Sequence, residues 1–190
     1  MQEYMGPDED WASIVLIRVF QNPTDQDRSE KILVGYVFVK EVTTPVKELD
    51  YAPQWKFPGG RVIPRRDTTP QETAKRETRE ETGIEAPLED FIFLDGWKQI
   101  PEIREYNPPL KHLRSRGPHW KYLYMLDIYE CERNWINSSH PSNGNEDPKF
   151  FTPEALIDAI KIDDFKADHL ELWEKWHSFK NYKKTLGPAL

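Results

Sequence analysis

One stretch limits what this chain can fold into more than any other. It is Gly59 to Ile84, GGRVIPRRDTTPQETAKRETREETGI. It follows Trp55-Lys56-Phe57-Pro58, which reads as a short strand broken by a turn. Thr69 can cap a helix, Pro70 suits the first helical position, and Glu72 stands where a capping box wants an acid. Gly83 is a natural terminator. The pattern predicts a helix over Pro70 to Thr82. Its interior holds almost no large apolar residue, so Ala74 and Thr78 are the best candidates for a buried face.

Glu77, Glu80 and Glu81 are spaced i, i+3, i+4 and share one side of that helix. Each like-charged pair at that spacing costs a few tenths of a kcal/mol. Their place in the last turns adds roughly 0.3–1 kcal/mol per charge against the helix dipole. Arg76 lies one turn from both Glu72 and Glu80 and recovers part of this by pairing with them. A solvated, salt-bridged surface helix is the bland explanation. Against it, the helix follows directly on a strand and a Gly-Gly turn, and its acids are grouped rather than interleaved with bases. The charge rule is also broken where a bound cation would repair it. Hard oxygen ligands on a rigid element suit Mg²⁺ or Mn²⁺.

The rest of the chain reads as an α+β protein. Strand-like runs occupy Ser13 to Phe20, Lys31 to Val42, Phe91 to Trp97 and Trp120 to Tyr129. Long Pro-containing loops are expected over residues 101–119 and 132–149. Helical periodicity returns at Pro153 to Ile160 and around Leu170 to Phe179, where Leu172, Trp173, Trp176 and Phe179 form an aromatic-rich stripe suited to core packing. No repeat or low-complexity linker divides the 190 residues, so one domain over 1–190 is expected. Its core should span about 10–162, with a helical extension over 163–190. The expected architecture is a mixed sheet with one central helix and one or two more near the C-terminus.

Charge and cysteine content exclude several classes. A net charge of −7 argues against a general nucleic-acid coat, so no stable nucleic-acid partner is expected. Cys131 is the single cysteine, which excludes an intramolecular disulfide and a cysteine-based zinc cluster. The acidic N-terminus MQEYMGPDED has no apolar signal, and no apolar run is long enough to span a bilayer. A cytoplasmic setting is the default expectation.

At Arg76-Glu77-Thr78-Arg79-Glu80-Glu81-Thr82-Gly83-Ile84 the sequence resembles the Nudix hydrolase family. That family's box is written G-x5-E-x7-R-E-U-x-E-E-x-G-U, with U a bulky apolar residue; Thr78 here replaces one U. Phe57-Pro58-Gly59-Gly60 looks like the family's turn before the box. The motif covers about 25 residues, and its strand–turn–helix context makes it specific. The first half departs from the pattern: it is about two residues longer, and the family's first glutamate has no exact counterpart. Gly60 plus six falls on Arg66, and Asp67 is the nearest acid. A reshaped loop over Ile63 to Thr69 is expected.

The resemblance implies a Nudix-type α/β/α sandwich with a mixed sheet, and metal-dependent hydrolysis of a pyrophosphate bond in a nucleoside diphosphate derivative. It implies Glu77 and Glu81 as principal ligands of Mg²⁺ or Mn²⁺, Glu80 as a shared ligand or water-activating base, and the Gly60 carbonyl as a further ligand. Arg76 would hold a glutamate in place. Glu146, with Asp147, is a candidate for an additional acid from a loop before the C-terminal helices. Arg65 and Arg66 in the lengthened loop, and Arg114 and Arg116 in the basic stretch with Lys111 and His112, are candidates for substrate phosphate. Pro101 approximates a proline found downstream of the box in ADP-ribose-type members. A small-molecule nucleotide partner follows, and a homodimer is compatible with the family. The other readings are a Nudix-fold nucleotide-binding or regulatory module without efficient turnover, and an isomerase acting on a diphosphate.

Overall fold

Strand β1 (Trp11–Phe20) is the spine of the molecule, and all of its residues are buried. The pleat sends alternate side chains to opposite faces. Val15, Ile17 and Val19 thus enter one apolar cluster, while Ile14 and Leu16 enter another. A strand buried on both faces needs cover on both, which sets the layered architecture.

The computed structural model describes residues 10–22, 32–41, 54–99, 119–130, 145–161 and 165–176. One edge of β1 pairs in parallel with β6 (His119–Tyr129), from Trp11 opposite Trp120 to Phe20 opposite Tyr129. Its other edge is shared: Ile17 to Phe20 pair with β2 (Leu33–Glu41), and Ala12 to Ile14 pair with β4 (Gly59–Arg61), both antiparallel. β2 takes β3 (Trp55–Lys56) at Val39 and Lys40, and takes β7 (Asn145–Phe151) between Tyr36 and Glu41. Lys40 pairs with both β3 and β7, so those two lie on opposite edges of β2. The broken segment β3–β4 therefore fills the wedge where β1 and β2 splay apart. β5 (Ile92–Gln99) closes the far side, antiparallel to β6. The described residues form one mixed sheet of seven strands.

Helix α1 (Pro70–Thr82) covers the face carrying Val15, Ile17, Val19, Val37, Tyr124 and Leu126, with Ala74 inserted among them. On the opposite face, α2 (Pro153–Lys161) and α3 (Ala167–Trp176) cover Ile14, Leu16, Tyr36, Phe38 and Phe57. Leu172, Trp173 and Trp176 pack against that cluster, and Phe165 lies inside it, so core packing continues to Trp176. The layers are α/β/α, a Nudix-like α+β fold. No described helix is long and apolar enough to cross a membrane.

One stretch departs from the sequence reading. Residues up to 149 were expected to be loop, yet Asn145–Phe151 forms β7. Its Asn, Asp and Pro composition hides a strand stabilised from outside, by the free edge of β2 and by the burial of Phe151. Pro148 is tolerated because the register slips between Phe38 and Lys40, so Asp147 and Pro148 stand against Val39 in a bulge. Glu146 is thus on a strand, opposite Lys40, and not on a loop.

Thr78 is fully buried on α1, and its hydroxyl has no hydrogen-bond partner. An unpaired buried hydroxyl retains its desolvation cost. Thr78→Val keeps the shape and removes the hydroxyl, so it should stabilise the protein by about 1 kcal/mol. Thermal denaturation should show the midpoint rising by about 2–4 °C.

Candidate metal and catalytic centre

The last turns of α1 lie beside the β3–β4 turn because both are tied to β1. Gly59 and Gly60 pair with Ile14 and Ser13, and the Ser13 hydroxyl donates to the Pro70 carbonyl at 2.6 Å. Trp11 Nε1 donates to Thr73 Oγ1 at 3.0 Å. The N-terminus of α1 carries the full capping box: Thr69 Oγ1 accepts from Glu72 N–H, and the Glu72 carboxylate accepts from Thr69 N–H. Gly83, with φ 75°, ends the helix in the left-handed region that glycine occupies without strain.

Two glycines in the turn sit against close neighbours. A Cβ on Gly59 would run into the Ser13 carbonyl oxygen, and one on Gly60 would run into the Glu77 carboxylate. The backbone at Gly60 and the Glu77 side chain therefore meet in a close cradle, and a larger residue at position 60 would push the Glu77 carboxylate aside.

Arg76 organises the carboxylates. Its side chain is buried and donates through Nε and Nη2 to Asp67, through Nη1 to Glu77 at 2.6 Å and to Glu80 at 2.9 Å, and through Nη2 to the Arg61 carbonyl at 2.8 Å. Glu72, expected as a partner of Arg76, is taken up instead by the N-cap, where it accepts from Thr68 and Thr69. Asp67 takes that place. It is buried, and it also accepts from Ile63 N–H at 2.8 Å and from the Thr73 hydroxyl at 3.2 Å. Burial pushes the Asp67 carboxyl up, but the hydrogen bonds from Arg76, Ile63 and Thr73 outweigh it and hold it below the usual range.

The lengthened loop is what returns Asp67 to the helix. Arg66 N–H and Asp67 N–H both donate to the Ile63 carbonyl, closing a tight turn through Pro64 and Arg65. Arg65 sits at φ 70°, the region favoured by glycine, after a proline, as in a type II turn. That conformation costs about 1 kcal/mol or more. Arg65 and Arg66 are exposed, and Arg66 Nη2 reaches Glu80 Oε1 at 2.8 Å.

Glu81 is buried, accepting from Gly59 N–H at 2.8 Å and from the Lys56 ammonium at 3.0 Å. Burial pushes the Glu77 carboxyl above the usual range; Arg76 opposes this, and the neighbouring Glu81 and Glu80 add to it. Across the sheet, the ring of His169 on α3 accepts at Nδ1 from Phe57 N–H at 2.9 Å. This anchors the start of the Phe57–Gly60 turn from the opposite layer.

The structure thus brings Gly60, Arg76, Glu77, Glu80, Glu81 and Arg66 together. The Glu146 side chain, Arg114, Arg116 and Cys131 lie outside the described residues. Lys56 and His169 were not singled out from sequence; a lysine beside an apolar turn and a histidine on a distant helix carry no local signal. Among the described residues, no group of three or more His, Cys, Asp or Glu side chains converges closely enough to hold a metal ion. The carboxylates face cations instead: Arg76 bridges Glu77 and Glu80, Arg66 reaches Glu80, and Lys56 holds Glu81. The donor set is still hard oxygen on a rigid helix, beside a glycine cradle, and suits Mg²⁺ or Mn²⁺.

The family profile described as NUDIX domain matches residues 35–176. The chain belongs to the Nudix family. Among solved structures, it is similar to a MutT/nudix family protein from Listeria innocua at 15% identity and TM-score 0.56, covering 96% of this chain and 100% of that one. It is also similar to the NUDIX domain of Shewanella oneidensis NrtR complexed with ADP ribose, at 15% identity and TM-score 0.52, covering 94% and 89%. A MutT/nudix family protein from Enterococcus faecalis aligns at 16% identity and TM-score 0.48 over 80% of this chain, which spans 46% of that longer one. No curated protein matches the sequence. Likeness at these identities shows the Nudix fold, and hydrolysis with divalent metals is typical of the family.

Asp67→Asn should destabilise the protein by about 3 kcal/mol, since it breaks a buried pair while Arg76 keeps its other partners. The native Asp67 carboxyl lies below its unfolded value, so its contribution is present above about pH 4 and is lost as pH falls through the native pKa. Urea denaturation from pH 7 to pH 2 should show the wild-type advantage shrinking only at the acid end.

Proposed function

We propose that this Nudix domain is a metal-dependent pyrophosphohydrolase acting on a nucleoside diphosphate derivative. The observation that carries the reading is the grouping of Glu77, Glu80 and Glu81 on one face of α1, against the Gly60 cradle, with Arg76 bonded to two of them. In this reading Glu77, Glu81 and the Gly60 carbonyl would hold Mg²⁺ or Mn²⁺, and the ion would supply neutralisation of the phosphate oxygens and orientation of the pyrophosphate. Glu80, the most exposed of the three glutamates at 20%, is the base. It takes a proton from water as the water oxygen bonds to phosphorus, and the bond from that phosphorus to the bridging oxygen breaks. Arg76 fixes the Glu80 carboxylate by charge-assisted hydrogen bonds and so keeps the base in position. Arg66, which reaches Glu80, and Arg65 beside it would meet substrate phosphate.

A second reading is a nucleotide-binding or regulatory module without efficient turnover. The structural likeness to a Nudix domain complexed with ADP ribose supports it, as does the lengthened first half of the box.

The deciding experiment is a panel of ADP-ribose, dinucleoside polyphosphates, NADH and oxidised dNTPs, assayed with Mg²⁺ and with Mn²⁺. At least one should yield a nucleoside monophosphate or pyrophosphate. Glu80→Gln should lower kcat by about 10²–10⁴-fold, as expected for loss of a general base. Tight nucleotide binding with no turnover under either metal would overturn the enzyme reading in favour of the module.

A further inference from the structure

Arg76, Arg66 and Lys56 face the glutamates of the centre, and they are not held alike. Arg76 is locked by Asp67 and by the Arg61 carbonyl. Arg66 is half exposed and sits on the strained turn. Lys56 is the unusual one. It projects from β3, only 12% exposed, and its ammonium lies 3.0 Å from Glu81 Oε1 and 3.3 Å from the Gly59 carbonyl oxygen. A carboxylate oxygen and a backbone carbonyl from the Gly59–Gly60 turn form a binding set that would equally suit a hard metal ion.

Lys56 is also not needed to aim Glu81. The other Glu81 oxygen is already held by Gly59 N–H at 2.8 Å. An ammonium is a compact charge on a flexible stem, able to leave one anion for another without the fixed fork geometry of arginine. The substrate class proposed above brings several anionic oxygens to this position.

Resting on that reading, we propose that Lys56 is an exchangeable counterion: it neutralises Glu81 until a divalent ion takes over that charge, and its released ammonium then binds a phosphate oxygen of the substrate. Metal and pyrophosphate binding are coupled through this one side chain, each favouring the other. Lys56 is therefore a substrate-binding residue that is withheld while the centre is free of metal.

The test uses Mn²⁺ alone and then imidodiphosphate, a pyrophosphate mimic with a non-hydrolysable bridge, both followed by calorimetry. Lys56→Met removes the competing cation, so it should bind Mn²⁺ tighter by about fivefold or more. The gain in imidodiphosphate affinity that Mn²⁺ gives the wild type should largely vanish in the variant. Lys56→Arg, which keeps the charge, should bind Mn²⁺ like the wild type. A folded Lys56→Met with unchanged or weaker Mn²⁺ affinity would overturn the proposal and leave the metal reading standing. A wild type that binds no Mn²⁺ would overturn both. A measurement on the wild type alone guards against a variant that fails to fold. Amine acylation of Lys56, read by mass spectrometry, should speed up when Mn²⁺ is added without phosphate, and an unchanged or slower rate would sink the idea.

Discussion

The centre depends on one buried guanidinium. Arg76 has its donors divided among Asp67, Glu77, Glu80 and the Arg61 carbonyl. Burial alone would lower its pKa, but these anions outweigh that effect and keep it firmly charged. A charge this far from water persists only when fully paired. The pairing fixes three things together: the path of the loop at Arg61 and Asp67, the pitch of α1 against β4, and the directions of two carboxylates. Lysine could not do this, because its three donors radiate from one atom and do not span a fork.

The lengthened box loop makes sense from this hub. The family pattern places an acid earlier in the loop, and here that position is Arg66. The loop is folded into a turn closed on the Ile63 carbonyl, and this brings the Asp67 carboxylate to Arg76, Ile63 N–H and Thr73. The strain at Arg65 is the local cost of the turn. The buried hydrogen bonds of Asp67 more than offset it, since charge-assisted bonds contribute roughly 1.5–3 kcal/mol each.

How much of this was legible in the sequence follows from how local each signal is. Helix α1 was readable over Pro70–Thr82, because its cap, its N-terminal proline and its terminating glycine are all encoded within it. The runs forming β1, β2, β5 and β6 were readable because buried strands need β-branched and aromatic residues. Strand β7 was hidden, since its pairing comes from the β2 edge and its own Asn, Asp and Pro read as loop. At the site, the grouped glutamates stood out through a charge pattern that breaks a helix rule. Of the two partners that i, i+4 spacing offers Arg76, Glu80 pairs with it and Glu72 does not, because spacing cannot foresee that a capping box already occupies that acid. Lys56 and His169 are placed by tertiary contacts alone, 25 and 112 residues away from their partners in sequence.

The same charge balance bears on what a metal could and could not do for this protein. In small zinc domains the ligands have no other partners, so the ion supplies the folding energy. Here the carboxylates at the end of α1 are already compensated by Arg76, Arg66 and Lys56, and α1 is fastened independently by Trp11, Ser13 and the burial of Ala74. The apolar clusters on the two faces of β1 carry the fold, and His169 ties the Phe57–Gly60 turn to the far layer without any ion. An ion binding at this centre therefore meets a preformed scaffold whose charges must be redistributed, not a chain that must be ordered. On the reading proposed above, its affinity would be set by exchange between the fixed carboxylates and the Lys56 ammonium. That exchange would be confined to side-chain ends, because α1 and the glycine turn are held by strand pairing, hydrogen bonds and core packing in which a metal has no part.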